Sequence, residues 1–426
     1  MKHALLSLLT VLLVLLLVAC DQSAGNELGI SDRPGETSPN IRDPDLALLV
    51  EGNSAFAFEL YQALRGQEGN LFYSPHSISL ALAMTYAGAR NQTEEQMAAT
   101  LHFLLEQEGL HPAFNRLTAE LASRGEGAEG KDGEGFRLNT VNAIWGQEDY
   151  EFLNEFLDVL AQNYGAGLRV LDFITEPEQS RLTINDWVSD QTEGRIQDLI
   201  PQGLIHELTR LVLTNAVYFN AAWEYPFDED RTADGPFYLL DGGQVTVPMM
   251  SQTQSFGYAG GKEYQAVELP YDGAELSMVI LLPRAGQFPA FEAGLDGQKV
   301  SSIISSLRPI KVTLTMPRFE FESEFSLEDT LAEMGMPVAF SADADFSGMT
   351  GAPDLCISDV IHKAFVSVDE AGTEAAAATA VLMPPTSSGI PSVPVKVTLD
   401  RPFIFLIRDI RTGAVIFVGR VLNPAA

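Results

Sequence analysis

The stretch "VDEAGTEAAAATAVLMPPTSSG", residues 368–389, is compatible with three different structures. Four consecutive alanines favour a helix, because alanine has the highest helix propensity. The absence of proline from Gly372 to Met383 equally suits a strand, in which every backbone N–H can join a ladder of hydrogen bonds. The Pro384–Pro385 pair and the Thr/Ser/Gly tail are typical of a loop. The rest of the chain has to decide among a helix, a linker and a strand.

The composition is that of a large globular protein with a strong acidic bias. The chain has 426 residues, of which 46% are hydrophobic and 20% charged, so it has ample apolar material for a core. Its length suggests two or three domains. No polar linker divides residues 45–426, however, and we interpret that segment as a single domain. The formal net charge of -32 disfavours nucleic-acid binding, because it repels phosphate backbones.

The N-terminus has the pattern of an export signal. Residues 4–18 form an apolar run that is too short for a bilayer span and suits a signal-peptide core. The sequence "LVAC" that ends at Cys20 resembles the bacterial lipoprotein cleavage box, in which the cysteine becomes the first mature residue and carries lipid. We therefore expect a lipoprotein signal peptide over 1–19, a flexible tether over 20–44 and an extracytoplasmic domain held at the cell membrane or cell surface. The alternatives are an uncleaved anchor or a plain secretory peptide.

Helical patterns precede strand patterns along the chain. In the first third, Ser74–Pro75 is a plausible helix cap and first turn, and Thr93 with Gln96 is a plausible capping pair. Later segments such as "RLVLTNAVYFN" and "IKVTLTMPRFEFES" are β-branched and aromatic, and several of these segments alternate. Helices followed by strands predict an α+β architecture, not alternating βαβ units.

The chain carries no recognisable motif for catalysis, metal binding or cofactor binding. The "GEGAEG" at 125–130 matches a dinucleotide-binding pattern, but no strand precedes it, and we interpret it as a solvated acidic loop. The six histidines lack metal-ligand spacing, and H-E-x-x-H, G-x-S-x-G and P-loop motifs are missing. Cys356 is most simply a small buried hydrophobe. The sequence therefore predicts a protein that is not an enzyme and has no metal or cofactor.

Several long stretches together resemble one family. They include "GNLFYSPHSISLALAMTYAGARNQTEEQM" (69–97), "LTNAVYFNAAWEYPF" (213–227), "DVIHKAFVSVDEAGTEAAAATA" (359–380) and "DRPFIFLIRDIRTGAVIFVGRVLNP" (400–424). They resemble serpins, the serine protease inhibitor family, in the family's order and over nearly all of 45–426. The resemblance implies a monomer with helices packed around a large central β-sheet, two smaller sheets and an exposed reactive loop.

The resemblance also assigns structural roles to polar residues far apart in the sequence. Ser74, Ser77, Asn215 and His362 match the shutter, a polar cluster under the centre of the large sheet. Buried hydroxyl, amide and imidazole groups must be mutually hydrogen-bonded, and such a cluster can re-pair when the strands above it move apart. Trp223 matches the breach, the top of the sheet where the reactive loop first inserts.

The opening stretch matches the hinge of the reactive loop. The hinge residues are Glu370, Gly372, Thr373, Glu374, Ala375, Ala376, Ala377, Ala378, Thr379 and Ala380. In a serpin, a protease attacks the loop as a substrate, and the hinge then inserts as a new central strand before the acyl-enzyme hydrolyses. Insertion of about 15 residues moves the attached protease by roughly 50 Å, and we expect that load to distort its active site.

Period-two alternation explains why small residues suit this hinge. Thr373, Ala375, Ala377 and Thr379 share one uncharged face that can be buried in a packed sheet. The opposite face carries Glu374 near the start of the strand, where we expect it to stay solvated. We expect Gly372 to act as a flexible pivot.

The position of the cleaved bond depends on how the loop is counted. Counting forward from Glu370 by the family's usual hinge length predicts the bond Thr386–Ser387, whereas counting backward from Arg401 points to 390–392. The loop is thus about five residues longer than in common relatives, and extra residues after the bond cost little free energy. Thr386 suggests an elastase-like or subtilisin-like target, with Leu382 and Met383 as alternative recognition residues.

The sequence thus predicts an inhibitor that forms a covalent acyl complex with a serine protease, with cysteine proteases as a second candidate class. The alternative is a serpin fold used as a non-inhibitory binding or storage module. Bulky, charged or proline-rich hinges favour that alternative, and this hinge has none of these features. The implied partners are a protease and, through Cys20, a lipid membrane.

Overall fold

The computed structural model describes residues 27–28, 41–133, 135–165, 167–373 and 393–426. Its helices are α1 Asp43–Leu64, α2 Pro75–Tyr86, α3 Asn91–Thr100, α4 Gln107–Ala122, α5 Asn154–Tyr164, α6 Pro177–Gln191, α7 Phe288–Ala293, α8 Gly297–Ser306, α9 Glu328–Met334 and α10 Ser347–Thr350, with short 3₁₀ turns at Glu229–Arg231 and Pro337–Phe340. Its strands are β1 Glu27–Leu28, β2 Leu71–Tyr73, β3 Arg137–Gln147, β4 Leu168–Leu171, β5 Leu211–Ala222, β6 Ala233–Tyr238, β7 Gln244–Gly260, β8 Tyr264–Pro270, β9 Leu276–Pro283, β10 Arg308–Pro317, β11 Phe319–Ser326, β12 Asp359–Val368, β13 Gly372–Thr373, β14 Val395–Thr398, β15 Phe403–Asp409 and β16 Val415–Val421.

The central sheet has seven strands in the order β1-β4-β3-β5-β13-β12-β11. Strands β5 and β12 run parallel and pair directly over six residues of each, from Asp359 opposite Val212 to Ala364 opposite Val217. At the upper end of these strands, which we call the sheet top, the short strand β13 lies between them and is antiparallel to both. The central sheet thus holds the first two residues of an additional strand.

The second sheet has nine strands along the path β14-β10-β7-β8-β9-β15-β16-β2, with β6 paired to β7. The two smaller sheets implied by the resemblance are therefore continuous. The reason is the 17-residue strand β7, which pairs with β6 at its start, with β10 along its middle and with β8 at its end. The α+β class and the large central sheet expected from the sequence are confirmed.

The central sheet buries both of its faces. Odd-numbered residues of β5, including Leu213 and Val217, belong to the main core shared with the second sheet and the N-terminal helices. Even-numbered residues, including Val212 and Ala216, pack in a smaller core with Ile184 of α6. Because side chains alternate along a strand, any strand inserted beside β5 must suit a buried environment on each face.

Local helix signals are correct at one predicted cap and wrong at another. Ser74 caps α2, since its hydroxyl accepts from the Ser77 N–H and Pro75 fills the first turn. Thr93, the other predicted cap, lies inside α3, which begins at Asn91. Its hydroxyl is buried and accepts from the Asp345 N–H, a partner distant in the sequence. Within the described ranges, no helix is both long and apolar enough to cross a bilayer.

Candidate functional site

The structure brings the four predicted shutter residues together beneath β5 and β12. The Ser74 N–H donates to His362 Nε2 at 3.1 Å, and the Ser74 hydroxyl donates to the Ile416 carbonyl at 2.8 Å. The Asn215 amide donates to the Ser77 hydroxyl, and its oxygen pairs with His362 Nδ1. The sequence missed a fifth member, Asn142 of β3, whose amide oxygen accepts from Ser77 and Asn215. We call these five residues the polar cluster.

Hydrogen bonding fixes the state of the imidazole in this cluster. His362 Nε2 accepts from a backbone N–H, so the proton of the neutral ring resides on Nδ1, which donates to the Asn215 amide oxygen. Complete burial lowers the pKa of His362 to about 3. The ring is therefore uncharged at neutral pH, and it bonds β12 directly to β5 across the line along which the two strands meet.

A second constellation surrounds the start of the hinge at the sheet top. Trp223 stacks on Tyr271 with ring centroids 4.6 Å apart, and its indole N–H donates to the Asp369 carbonyl at 3.0 Å. The Tyr271 hydroxyl lies 2.9 Å from the hydroxyl of Thr373, which is only 2% exposed. The predicted breach tryptophan thus contacts the chain directly before the hinge. Tyr271, which stacks on Trp223, lies in no motif that would have identified it from the sequence.

Charge fixes the other side of the hinge. Glu370 is 4% exposed, and its carboxylate lies 2.6 Å from the Arg318 guanidinium and accepts from the Thr232 hydroxyl. Burial alone raises the pKa of Glu370, but the bonds from Arg318 and Thr232 outweigh it, and the net pKa lies below its usual value. The carboxylate stays ionised and anchors the turn between β12 and β13, where the hinge begins.

Gly372 serves the site by its lack of a side chain. A Cβ at this position would lie 2.1 Å from the Ala221 carbonyl oxygen of β5, a separation that no side chain can adopt. We expected a flexible pivot, but Gly372 is already paired within β13, opposite Ala222. The requirement seen here is the close approach of two backbones.

The remaining predicted site residues lie outside the described residues. These are Cys20, the hinge from Glu374 to Ala380, and the bond Thr386–Ser387. Glu370, Gly372 and Thr373 are described, and the structure brings them together at the sheet top. In the part of the chain that is described, no group of three or more His, Cys, Asp or Glu side chains could hold a metal ion.

The central sheet holds the first two residues of an extra strand, with the polar cluster at its centre and the anchored start of the hinge at the sheet top. The family model "Serpin (serine protease inhibitor)" matches residues 51–424. The chain belongs to the serpin family.

Similar proteins agree on this family over most of the chain. An uncharacterized serpin-like protein of Thermococcus kodakarensis is 41% identical, with 88% of this chain and 86% of that protein covered. The leukocyte elastase inhibitor of Bos taurus is 39% identical, with 88% and 99% covered. Among solved structures, the thermophilic serpin tengpin in its native state matches with a TM-score of 0.82 and 30% identity, with 94% and 100% covered. Protease inhibition is thus the activity of the family and of named relatives.

Proposed function

We propose that this chain inhibits a serine protease as a suicide substrate, by inserting residues 374–383 between β5 and β12 after the protease cleaves the reactive loop. The observation that supports this most directly is β13, because a strand that is antiparallel to both of its neighbours has already started between two parallel strands. The described residues stop at Thr373, the second residue of β13.

Continuing the register gives the proposed strand a defined length. Thr373 pairs with Ala221 on β5 and with Val368 on β12. If the pairing continues one residue at a time, Met383 would lie opposite Leu211, where β5 begins. Leu382 would lie opposite Asp359, where β12 begins. Pro384 and Pro385 would fall beyond both strands, so their missing N–H groups would remove no bond from the ladder.

The same register gives Thr379 a position in the polar cluster. It would come opposite Asn215 on one side and His362 on the other, which now pair with each other. Insertion would separate that pair and leave buried polar atoms unbonded, at a cost of about 1–3 kcal/mol for each atom. A threonine hydroxyl can both donate and accept, so Thr379 can restore both bonds. The cluster is thus suited to a closed and an inserted state.

The proposal is tested with a panel of subtilisin-, elastase- and chymotrypsin-like proteases. We expect at least one to form a complex that survives SDS, and we expect the loop-cleaved chain to unfold at a higher temperature than the intact one. Mass spectrometry of the released peptide would identify the bond, with Thr386–Ser387 expected. Cleavage by every protease without a complex and without thermal stabilisation would exclude the mechanism.

We further propose that Cys20 carries the lipid that holds the domain at a membrane, a proposal supported by the sequence pattern at 1–20. In a bacterial host, Cys20→Ala should move the protein from the membrane fraction to the soluble fraction. Membrane retention of this variant would indicate an uncleaved anchor instead.

A further inference from the structure

The acidic loop between α4 and β3 docks in part on the sheet top, although the sequence predicts a solvated loop. Lys131 of this loop is fully buried, and its backbone N–H donates to the Asn220 side-chain oxygen at 2.7 Å. The Glu129 carbonyl accepts from the Ala222 N–H at 3.1 Å, while the Glu129 side chain remains exposed. The loop therefore places Lys131 at the upper end of β5.

Two further cations lie around the same part of β5, in a chain of net charge -32. The guanidinium carbons of Arg137 and Arg195 lie 5.9 and 6.0 Å from the ring centre of Tyr218, which is on the same face of β5 as Asn220. Arg137 already pairs with Asp132 of the docked loop. The Lys131 ammonium lies 2.8 Å from the Asp369 carboxylate, directly before the hinge, and Arg195 is exposed just after α6.

The next residue of the hinge would meet this group of cations. Continuing β13 by one residue places Glu374 opposite Asn220 on β5 and Ser367 on β12. These two neighbours are 0% and 8% exposed, so a glutamate between them is shielded from water on both sides. A buried carboxylate needs a charged or hydrogen-bonding partner, or its insertion is strongly disfavoured. In this register an inserted Glu374 would need such a partner, whereas the sequence alone suggested that it stays solvated.

We propose that Lys131 and Arg195 form a carboxylate-binding site that receives Glu374 as the hinge inserts. Lys131 then exchanges Asp369 for Glu374, and Arg195 approaches from the α6 side. The two side chains are positioning residues, which act on insertion and not on the acyl chemistry. This inference rests on the proposed function, because Glu374 reaches the site only as part of an inserting strand.

The test measures the ratio of SDS-stable complex to cleaved inhibitor with a protease that the wild-type chain traps. Arg195→Gln should lower this ratio by a factor of roughly five to thirty, because slower insertion leaves time for the acyl-enzyme to hydrolyse. Adding Glu374→Gln, which removes the carboxylate that needs a partner, should restore most of the ratio. Lys131→Met should lower the same ratio. Adding Glu374→Gln to Lys131→Met should again restore most of it.

Glu320→Gln is the matched control, since Glu320 is exposed on β11 in register with Ser367. Added to Arg195→Gln or to Lys131→Met, Glu320→Gln should not restore the ratio of complex to cleaved inhibitor. The site is overturned if both cation variants keep the wild-type ratio, or if Glu374→Gln rescues neither. Those results leave the proposed function standing, because the wild-type complex still forms. A wild-type chain that is cleaved without complex or stabilisation would overturn the proposed function and, with it, the insertion on which the site depends.

Discussion

At the scale of single residues, buried histidines couple the stability of this protein to pH. Burial lowers the pKa of His76 to about 4, and the same cause lowers the pKa of His111 to about 4 and that of His362 to about 3. Each ring is neutral in the folded chain, whereas the unfolded chain takes up a proton near the ordinary pKa of about 6.5. Acid therefore favours the unfolded state.

The histidines predict a loss of stability as the pH falls from about 6.5 toward 4. In this window the unfolded state binds more protons, so the free energy of unfolding rises with pH, by up to roughly 3 kcal/mol for His76. His76→Phe should flatten this dependence in urea titrations at several pH values, and His206→Phe, at an exposed position, should leave it unchanged. An unaltered slope in His76→Phe would contradict the assignment.

A single hydrogen atom in place of a methyl group determines whether β13 can form. In Gly372→Ala the new Cβ would collide with the Ala221 carbonyl, so the start of the hinge must leave the sheet or the strands must separate. We expect the uncleaved chain to lose about 1–3 kcal/mol, measured as a lower urea midpoint. Gly66→Ala, where a Cβ meets nothing within 4 Å, should change stability by less than about 0.5 kcal/mol. Equal effects of the two variants would show that the close approach is unimportant.

At the scale of elements, the parallel strands β5 and β12 pair directly along one part of their length and hold β13 between them along another. Below the sheet top, the backbone N–H and carbonyl groups of β5 and β12 bond to each other. At the sheet top, they bond to β13 instead. An antiparallel strand between two parallel neighbours gains hydrogen bonds on both of its edges. The hinge thus has a ladder available only after these two strands separate.

Thr373→Arg tests this element and separates an inhibitor from a non-inhibitory module. Thr373 is buried against Tyr271, and an arginine there would have to bring a charge into the core. If the chain is an inhibitor, this variant should be cleaved as a substrate with at least a tenfold lower yield of SDS-stable complex, equivalent to about 1.4 kcal/mol. Val393→Arg, 89% exposed at the far end of the loop, is the control. A wild-type chain and a Thr373→Arg variant that behave alike would favour a binding or storage role.

At the scale of the whole molecule, one buried cation connects the C-terminal strand β16 to the segment that follows the N-terminal helix α1. Arg420 of β16 is 2% exposed and donates to the carbonyls of Arg65, Gln67 and Gly69 at 2.7–2.9 Å. It also pairs with Glu292 at 3.0 Å. The three carbonyls lie more than 350 positions before Arg420, in the segment that follows α1. The second sheet therefore forms completely only after the end of the chain has docked.

Arg420→Met should destabilise the fold by about 3–5 kcal/mol, because it leaves the buried Glu292 carboxylate without its cation. Urea unfolding followed by circular dichroism measures the loss. Arg42→Met removes a cation that is 79% exposed and pairs with Asp45, so it should leave the urea midpoint almost unchanged. A loss below about 1 kcal/mol in Arg420→Met would show that the C-terminal strand is held by its apolar contacts alone.

Much of the local organisation could be predicted from the sequence. The order of helices before strands, the Ser74 cap and the alternating small residues of the hinge are set by propensity and by period-two alternation within a few neighbours. The family resemblance named Ser74, Ser77, Asn215 and His362, which the structure brings together. Other residues gave weaker signals: Asn142 is an amide inside a strand pattern, and Lys131 is one of two cations in an acidic loop.

The sequence by itself determined the class of fold and a proline-free hinge with one uncharged face. Only the tertiary structure decided which side chains meet that hinge: Tyr271 beside Thr373, Arg318 on Glu370, and the cations above Asn220. Local patterns record which face of a strand is buried, because alternation depends on adjacent residues alone. These contacts join residues 52 to 102 positions apart, and charges and hydroxyls that become neighbours over such separations leave no periodic trace in the sequence.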